Sequence, residues 1–181
     1  MAKELLKREE VAAEYTWNLS DMYETEYDWE AALSEVAELL EEIEAMEPYC
    51  TDSASDLLLL LEKNAQAEEK LSLAYNYAER LYDQDRKNTT HQAMSAQAET
   101  LYAKLSEKTA FIQPVILALS EEKLESYYKV LPTLELYRNY MNEILRFREH
   151  SLSTEMEKLI ALTSEMSRGA ENTFSTLNNA D

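Results

Sequence analysis

The sequence predicts an all-α fold, an antiparallel multi-helix bundle of long helices, on three observations. Leu71–Asp85 reads LSLAYNYAERLYDQD, in which Leu71, Tyr75, Ala78 and Tyr82 recur at helical spacing and Ala74 and Leu81 widen the stripe. The chain holds one glycine and three prolines in 181 residues, too little turn chemistry for a hairpin-rich β fold. Apolar stripes of the same period recur along the rest of the chain, several of them behind a candidate cap.

The elements follow in order. Residues 9–24 place Tyr15, Trp17, Leu19 and Tyr23 at alternate positions, which suits one side of an extended segment. Residues 1–27 therefore read as an extended aromatic leader packed on the bundle, and 28–181 as the helical domain. A first helix is expected from about Asp28 to Met46, ended by Pro48, with Leu33, Val36, Ala37, Leu40 and Ile43 as its apolar stripe. Its polar face sets Glu35/Glu38, Glu38/Glu42 and Glu41/Glu44 three or four apart, and each like-charged pair costs roughly 0.2–0.5 kcal/mol in an isolated helix. Tertiary packing must hold it.

Ser53-Ala-Ser-Asp56 reads as an N-cap, followed by the apolar run Leu57–Leu61. Asp56–Asp85 fits either one helix or two broken near Asn64. Thr89-Thr-His-Gln92 fits a capping box with Thr89 as the cap. It opens a long helix through Met94, Ala98, Leu101, Leu105 and Ile112 towards Pro114. Ser120-Glu-Glu starts a short helix carrying Leu124, Tyr127 and Tyr128, and Pro132 precedes one with Leu134, Tyr137, Met141, Ile144 and Leu145. Thr154-Glu-Met-Glu157 opens a last helix through Leu159, Leu162, Met166 and Ala170. Phe174 and Leu177 look made to pack on something, and the chain reads as cut at a domain edge.

Charge and composition narrow the function. The formal net charge is −19, and seventeen acids with no Lys or Arg run from Glu9 to Glu62. Such a front end repels phosphates, so no nucleic-acid partner is expected. The run is a solvated acidic face or a surface for basic peptides. No secretory signal and no apolar run of membrane-spanning length is visible, so no membrane association is expected. Cys50 is the sole cysteine, which suits a reducing, cytoplasmic setting and a buried apolar role.

No residue is singled out as catalytic, cofactor-binding or metal-ligating, and substrate-binding residues stay unassigned. His91 and His150 belong to no H-E-x-x-H or E-x-x-H, so neither zincin nor di-iron spacing is present. Glycine poverty removes phosphate loops and dinucleotide fingerprints. Arg80, Arg86, Arg146 and Arg148 read as surface or ion-pair residues. These residues alone suggest a stand-alone acidic helical protein-interaction module.

A resemblance points elsewhere. Glu14-Tyr-Thr-Trp-Asn-Leu-Ser-Asp-Met-Tyr23, followed by Trp29, resembles the N-terminal signature of oligoendopeptidase F and its relatives, thimet-type zinc metallopeptidases. The likeness continues in order through Ala78-x-Arg80-x-Tyr82-x-Gln-Asp85, Leu134-x-x-Tyr137, Arg148-Glu-His-Ser-Leu-Ser-Thr-Glu-Met-Glu157 and Phe174-Ser-Thr-Leu-Asn-Asn-Ala-Asp181. It implies the N-terminal domain, a lid or cleft wall, of a larger helical metallopeptidase that cuts short peptides in the cytoplasm. The expected partners are a C-terminal catalytic domain of the same protein and an oligopeptide substrate. Zinc would be held in the full-length enzyme by residues outside these 181, so the chain alone is expected to bind no cofactor and to be inactive. A face bared by removal of the catalytic domain would favour self-association of the isolated chain.

Overall fold

Thr25 starts the first long helix: its hydroxyl accepts from Asp28 N–H at 3.2 Å, and its own N–H donates to Asp28 Oδ2 at 3.0 Å. This reciprocal cap satisfies two donors that an open helix end leaves orphaned. The structure is a computed structural model that describes residues 11–148. The expected helix at 154–170, His150 and the Phe174/Leu177 pair lie outside the described residues. Met1–Met141 form one compact unit and Asn142–Asp181 a second.

Helix α1 spans Glu26–Met46, two residues earlier than its stripe suggested. Trp29, Leu33, Val36, Leu40, Ile43 and Met46 are buried along it, whereas Ala37 falls on the exposed side. Helix α2 is a single rod from Ala54 to Gln84, which resolves the alternatives left open at Asn64. Its length follows from the sequence: no glycine or proline occurs between Pro48 and Pro114 to break it. Ser53 caps it, accepting from Asp56 N–H at 3.1 Å. At about 1.5 Å per residue it runs some 46 Å.

Helix α3 covers Thr89–Thr109 and is capped by Asn88, not by Thr89. Asn88 Oδ1 accepts from Thr90 N–H at 2.9 Å and from His91 N–H at 3.3 Å, so one short amide serves two orphan donors. Helix α4, Ile112–Ala118, corrects the expected path into Pro114. Ile112 opens a new helix and Pro114 sits in its first turn, where its missing N–H costs nothing. Helix α5, Glu121–Val130, begins at the expected Ser120 cap. Pro132–Tyr137 is a 3₁₀ turn that leads into α6, Arg138–Arg146.

The cross-links fix the topology. Trp29 meets Ala74, Glu35 meets Lys70, and Glu42 meets Lys63, so position falls along α1 as it rises along α2. Likewise Tyr75 packs edge-on to Tyr102 at 5.2 Å and Ser95 hydrogen-bonds to Glu79. Thus α1–α2 and α2–α3 are antiparallel hairpins, and α3 runs alongside α1 through Lys108 to Glu41 and Glu44. The links need no left-handed residue: no positive φ occurs among the described residues. All regular structure among them is helical, consistent with the expected bundle.

The charge conflict on α1 is answered by its neighbours. Lys63 reaches Glu42 at 2.5 Å, Lys70 reaches Glu35 at 2.6 Å, and Lys108 lies between Glu41 and Glu44. The three lysines set cations among repelling carboxylates. Each exposed pair is worth little by itself, but together they offset the repulsion along the helix.

The core lies between α1, α2 and α3. Trp29, Val36, Leu40, Leu57, Leu60, Leu71 and Ala74 are at or near zero exposure. Each fully buried Leu contributes roughly 1.5–3 kcal/mol before chain entropy is counted. On the other flank of α2, Tyr127 donates to the Thr51 carbonyl at 2.7 Å, tying α5 to the α1–α2 link. Leu134 and Met141 are buried in the same unit.

The leader differs from its expected extended form. Ala13–Tyr15 and Leu19–Asp21 are 3₁₀ turns, which breaks the two-residue alternation. Tyr15 is 76% and Trp17 78% exposed. Tyr23 supplies the attachment, with its ring edge-on to Tyr77 of α2 at 5.2 Å and 74°. Residues 1–10 lie outside the described residues.

Candidate functional site

The residues considered for chemistry are dispersed. Cys50 sits in the α1–α2 link at 1% exposure, its thiol donating to the Glu47 carbonyl at 3.6 Å. Burial, above all, pushes the thiol pKa up, the opposite of a nucleophile's need. His91 lies in the first turn of α3, with Nε2 3.3 Å from Asn88 Nδ2. Its buried Nδ1 has no hydrogen-bond partner, and that arrangement gives it nothing to activate. Arg80 and Arg86 share Asp83, the first at 3.3 Å, and Arg86 also stacks on Tyr82 at 4.4 Å. The Tyr82 hydroxyl, then Asp83, hold Arg86 in its charged form. Arg146 pairs with Glu143 at 2.6 Å, and Arg148 is exposed at the edge of the described residues. No group of three His, Cys, Asp or Glu among the described residues is placed to hold a metal ion. Nor is any described helix long and apolar enough to cross a membrane.

The tightest polar cluster is a clamp around Arg138. Its guanidinium lies 3.8 Å over the Tyr128 ring and pairs with Glu135 and Glu125, each at 2.6 Å. Tyr128 in turn directs its hydroxyl at Met141 Sδ, 3.9 Å away. Hydrogen bonds from Arg138 hold both carboxyls below the usual range, and the carboxylates raise the guanidinium above its own. The clamp joins α5, the 3₁₀ turn and the start of α6, so its work is structural. Stability from the two carboxylates is present above their unfolded pKa and is lost as pH falls through the lower folded values. Arg138→Met should shift the NMR titrations of Glu125 and Glu135 upward. Unmoved midpoints would count against the clamp.

Apart from these clusters, the surface carries hollows, two of them adjoining. One hollow of about 480 Å³ lies between the leader and α2, lined by Trp17, Met22, Leu73 and Arg80 among others. A second, of about 590 Å³, adjoins it between α1 and α2, with Tyr23, Ala31 and Ala32 on its walls. Leu73 and Glu69 line both, so the two form one trough. Sequence reasoning missed it because Leu73 lies outside the buried stripe of α2. The exposed Trp17 was the available signal.

Comparisons with known proteins agree with one another. The family model described as Oligopeptidase F matches residues 116–181. Oligopeptidase PepF of Bacillus subtilis is 36% identical over 180 residues, covering 99% of this chain and 27% of its own length. Group B oligopeptidase PepB of Streptococcus agalactiae is 32% identical over 174 residues, which is 96% of this chain and 29% of that protein. Among solved structures, oligoendopeptidase-F from Enterococcus faecium superposes with a TM-score of 0.71 at 34% identity, over 87% of this chain and 31% of that one. The chain spans less than a third of the length of each of these relatives.

Proposed function

Because this chain corresponds to the N-terminal region of the oligoendopeptidase F family, we propose that it is the cleft-wall or lid domain of a zinc-dependent oligoendopeptidase that hydrolyses short peptides. The observation that carries this reading is the match of nearly the whole chain to under a third of much longer oligopeptidases. The fold suits the role. Three long helices braced by an apolar core form a stiff slab, and α2 alone is long enough to flank an extended peptide of a dozen residues, at about 3.3 Å each.

A stiff wall restricts cleft width, so flexible peptides enter and folded proteins do not. Closure over a bound peptide excludes water and orders the chain for attack. Zinc supplies the activated water in this reading, and the described residues of this chain do not fit that metal, so no step runs through them. We place the activity in the cytoplasm and the metal ligands in the catalytic remainder of the parent, its partner. The 181-residue chain by itself is inactive in this reading.

The test is to assay the parent enzyme with and without residues 1–181 against peptides of graded length and against a folded protein. Loss of size selectivity with retained cleavage of small peptides is the expected result. Unchanged selectivity would sink the wall.

A further inference from the structure

Helices α1 and α3 are tied together near their C-terminal ends and part nearer their N-terminal ends. At the tied end Lys108 lies between Glu41 and Glu44, 67 and 64 positions away in sequence. Where the helices part they wall a hollow of about 500 Å³, separate from the trough beside the leader. Buried Leu33 and Leu101, with Ala37, give it an apolar floor.

The charges around this hollow are unpaired. The offset of 67 that joins Glu41 to Lys108 also sets Gln97 level with Glu30 and Lys104 level with Ala37. Where Lys108 faces a carboxylate, Lys104 therefore faces a methyl group. Neither the Lys104 ammonium nor the Glu30 carboxylate has a hydrogen bond or ion pair among the described residues. They mark opposite ends of the hollow, because Lys104 lies seven residues, or about 10 Å of helix, beyond Gln97.

An apolar floor with a free anion at one end and a free cation at the other is complementary to a zwitterion. The separation sets its size. An extended peptide advances about 3.3–3.6 Å per residue, so three residues put its charged ends about 10 Å apart. The walls suit the peptide groups between those ends. Gln97 carries an amide with both donor and acceptor. Ser34 and Thr100 donate their hydroxyl protons to the Glu30 and Ala96 carbonyls, which leaves each oxygen able to accept from a peptide N–H.

We propose that the α1–α3 hollow binds a free peptide of about three residues as a ligand, not as a substrate. Its amino end meets Glu30, its carboxylate meets Lys104, and an apolar middle side chain rests on Leu33 and Leu101. The site is complete within two helices of this chain, so the inference does not rest on the cleft-wall reading.

Amide NMR titration of the 181-residue chain with alanyl-leucyl-alanine tests it. The Ser34, Ala37, Gln97 and Thr100 signals should shift with added peptide, while those of Tyr23 and Leu73 stay in place. Acetylating the peptide's amine, or amidating its carboxylate, should each weaken binding about fivefold, the loss of one exposed charge pair. Glu30→Gln should abolish the effect of acetylation and keep that of amidation, and Lys104→Met should do the reverse. Both side chains are exposed, so circular dichroism of the variants should match the parent sequence.

Unmoved signals at those residues overturn the proposal, as does equal binding of free and capped peptides. Capping effects that survive in both variants overturn it too, because they place the peptide ends elsewhere. The size-selectivity assay reads none of these, so either reading can fail without the other.

Discussion

Trp29→Ala should cost about 3–5 kcal/mol, the range for truncating a fully buried aromatic. Trp29 is 1% exposed on α1, and its indole N–H donates to the Ala74 carbonyl of α2 at 2.9 Å. Truncation leaves a cavity at the α1–α2 contact and removes the buried hydrogen bond across it. Trp29→Phe separates the two effects: it keeps most of the ring and loses the donor, for about 1 kcal/mol. Urea unfolding followed by circular dichroism at 222 nm measures both. Equal losses in the two variants would mean that the hydrogen bond, not the packing, dominates, contrary to the geometry.

Asn64→Asp should be nearly as damaging and should reveal itself by pH. Asn64 is buried at 7% in the middle of α2, its Nδ2 donates to Glu68 Oε1 at 2.9 Å, and its Oδ1 has no partner. Aspartate replaces that donor with a carboxylate facing another carboxylate in a desolvated place. The cost at neutral pH is about 3 kcal/mol. The sign with pH follows from linkage. Burial and the facing Glu68 raise the new carboxyl's folded pKa above its unfolded value of about 3.9. Its neutral form is therefore the tolerated one: the loss is largest above the folded value and shrinks as pH falls towards the unfolded one. Asn64→Leu removes both the donor and the orphan acceptor and should stay within about 1 kcal/mol of the parent sequence. A pH-independent loss in Asn64→Asp would place the residue in solvent.

The helical class and most of the stripes were legible because periodicity reports burial directly. Leu33, Val36, Leu40 and Ile43 are buried as spaced, and Ala37 is not, because an alanine at the stripe's edge adds little apolar area to draw it inward. Tyr77 shows the opposite error: it is buried against the leader's Tyr23, a contact that no local pattern announces. Cap positions were legible only to within one residue where two capping types adjoin, as at Asn88 and Thr89. Pro114 was read as a stop, yet proline also suits a first turn. The trough was illegible for another reason: it is built from the leader and two helices, and its floor residue, Leu73, follows no stripe. The acidic face of α1 read as opposed to its own helix, and only the structure shows which lysines relieve it.

The glycine-free links between α1, α2 and α3 also bear on how the chain reaches this state. Helix α1 packs on α2 and α2 on α3, so much of the core forms between segments that leave the ribosome one after another. Topologies of such low contact order fold within microseconds to milliseconds, far faster than the roughly 5–20 residues added per second during synthesis. The three-helix core would therefore assemble about as fast as α3 emerges, so synthesis, not folding, sets when it is complete.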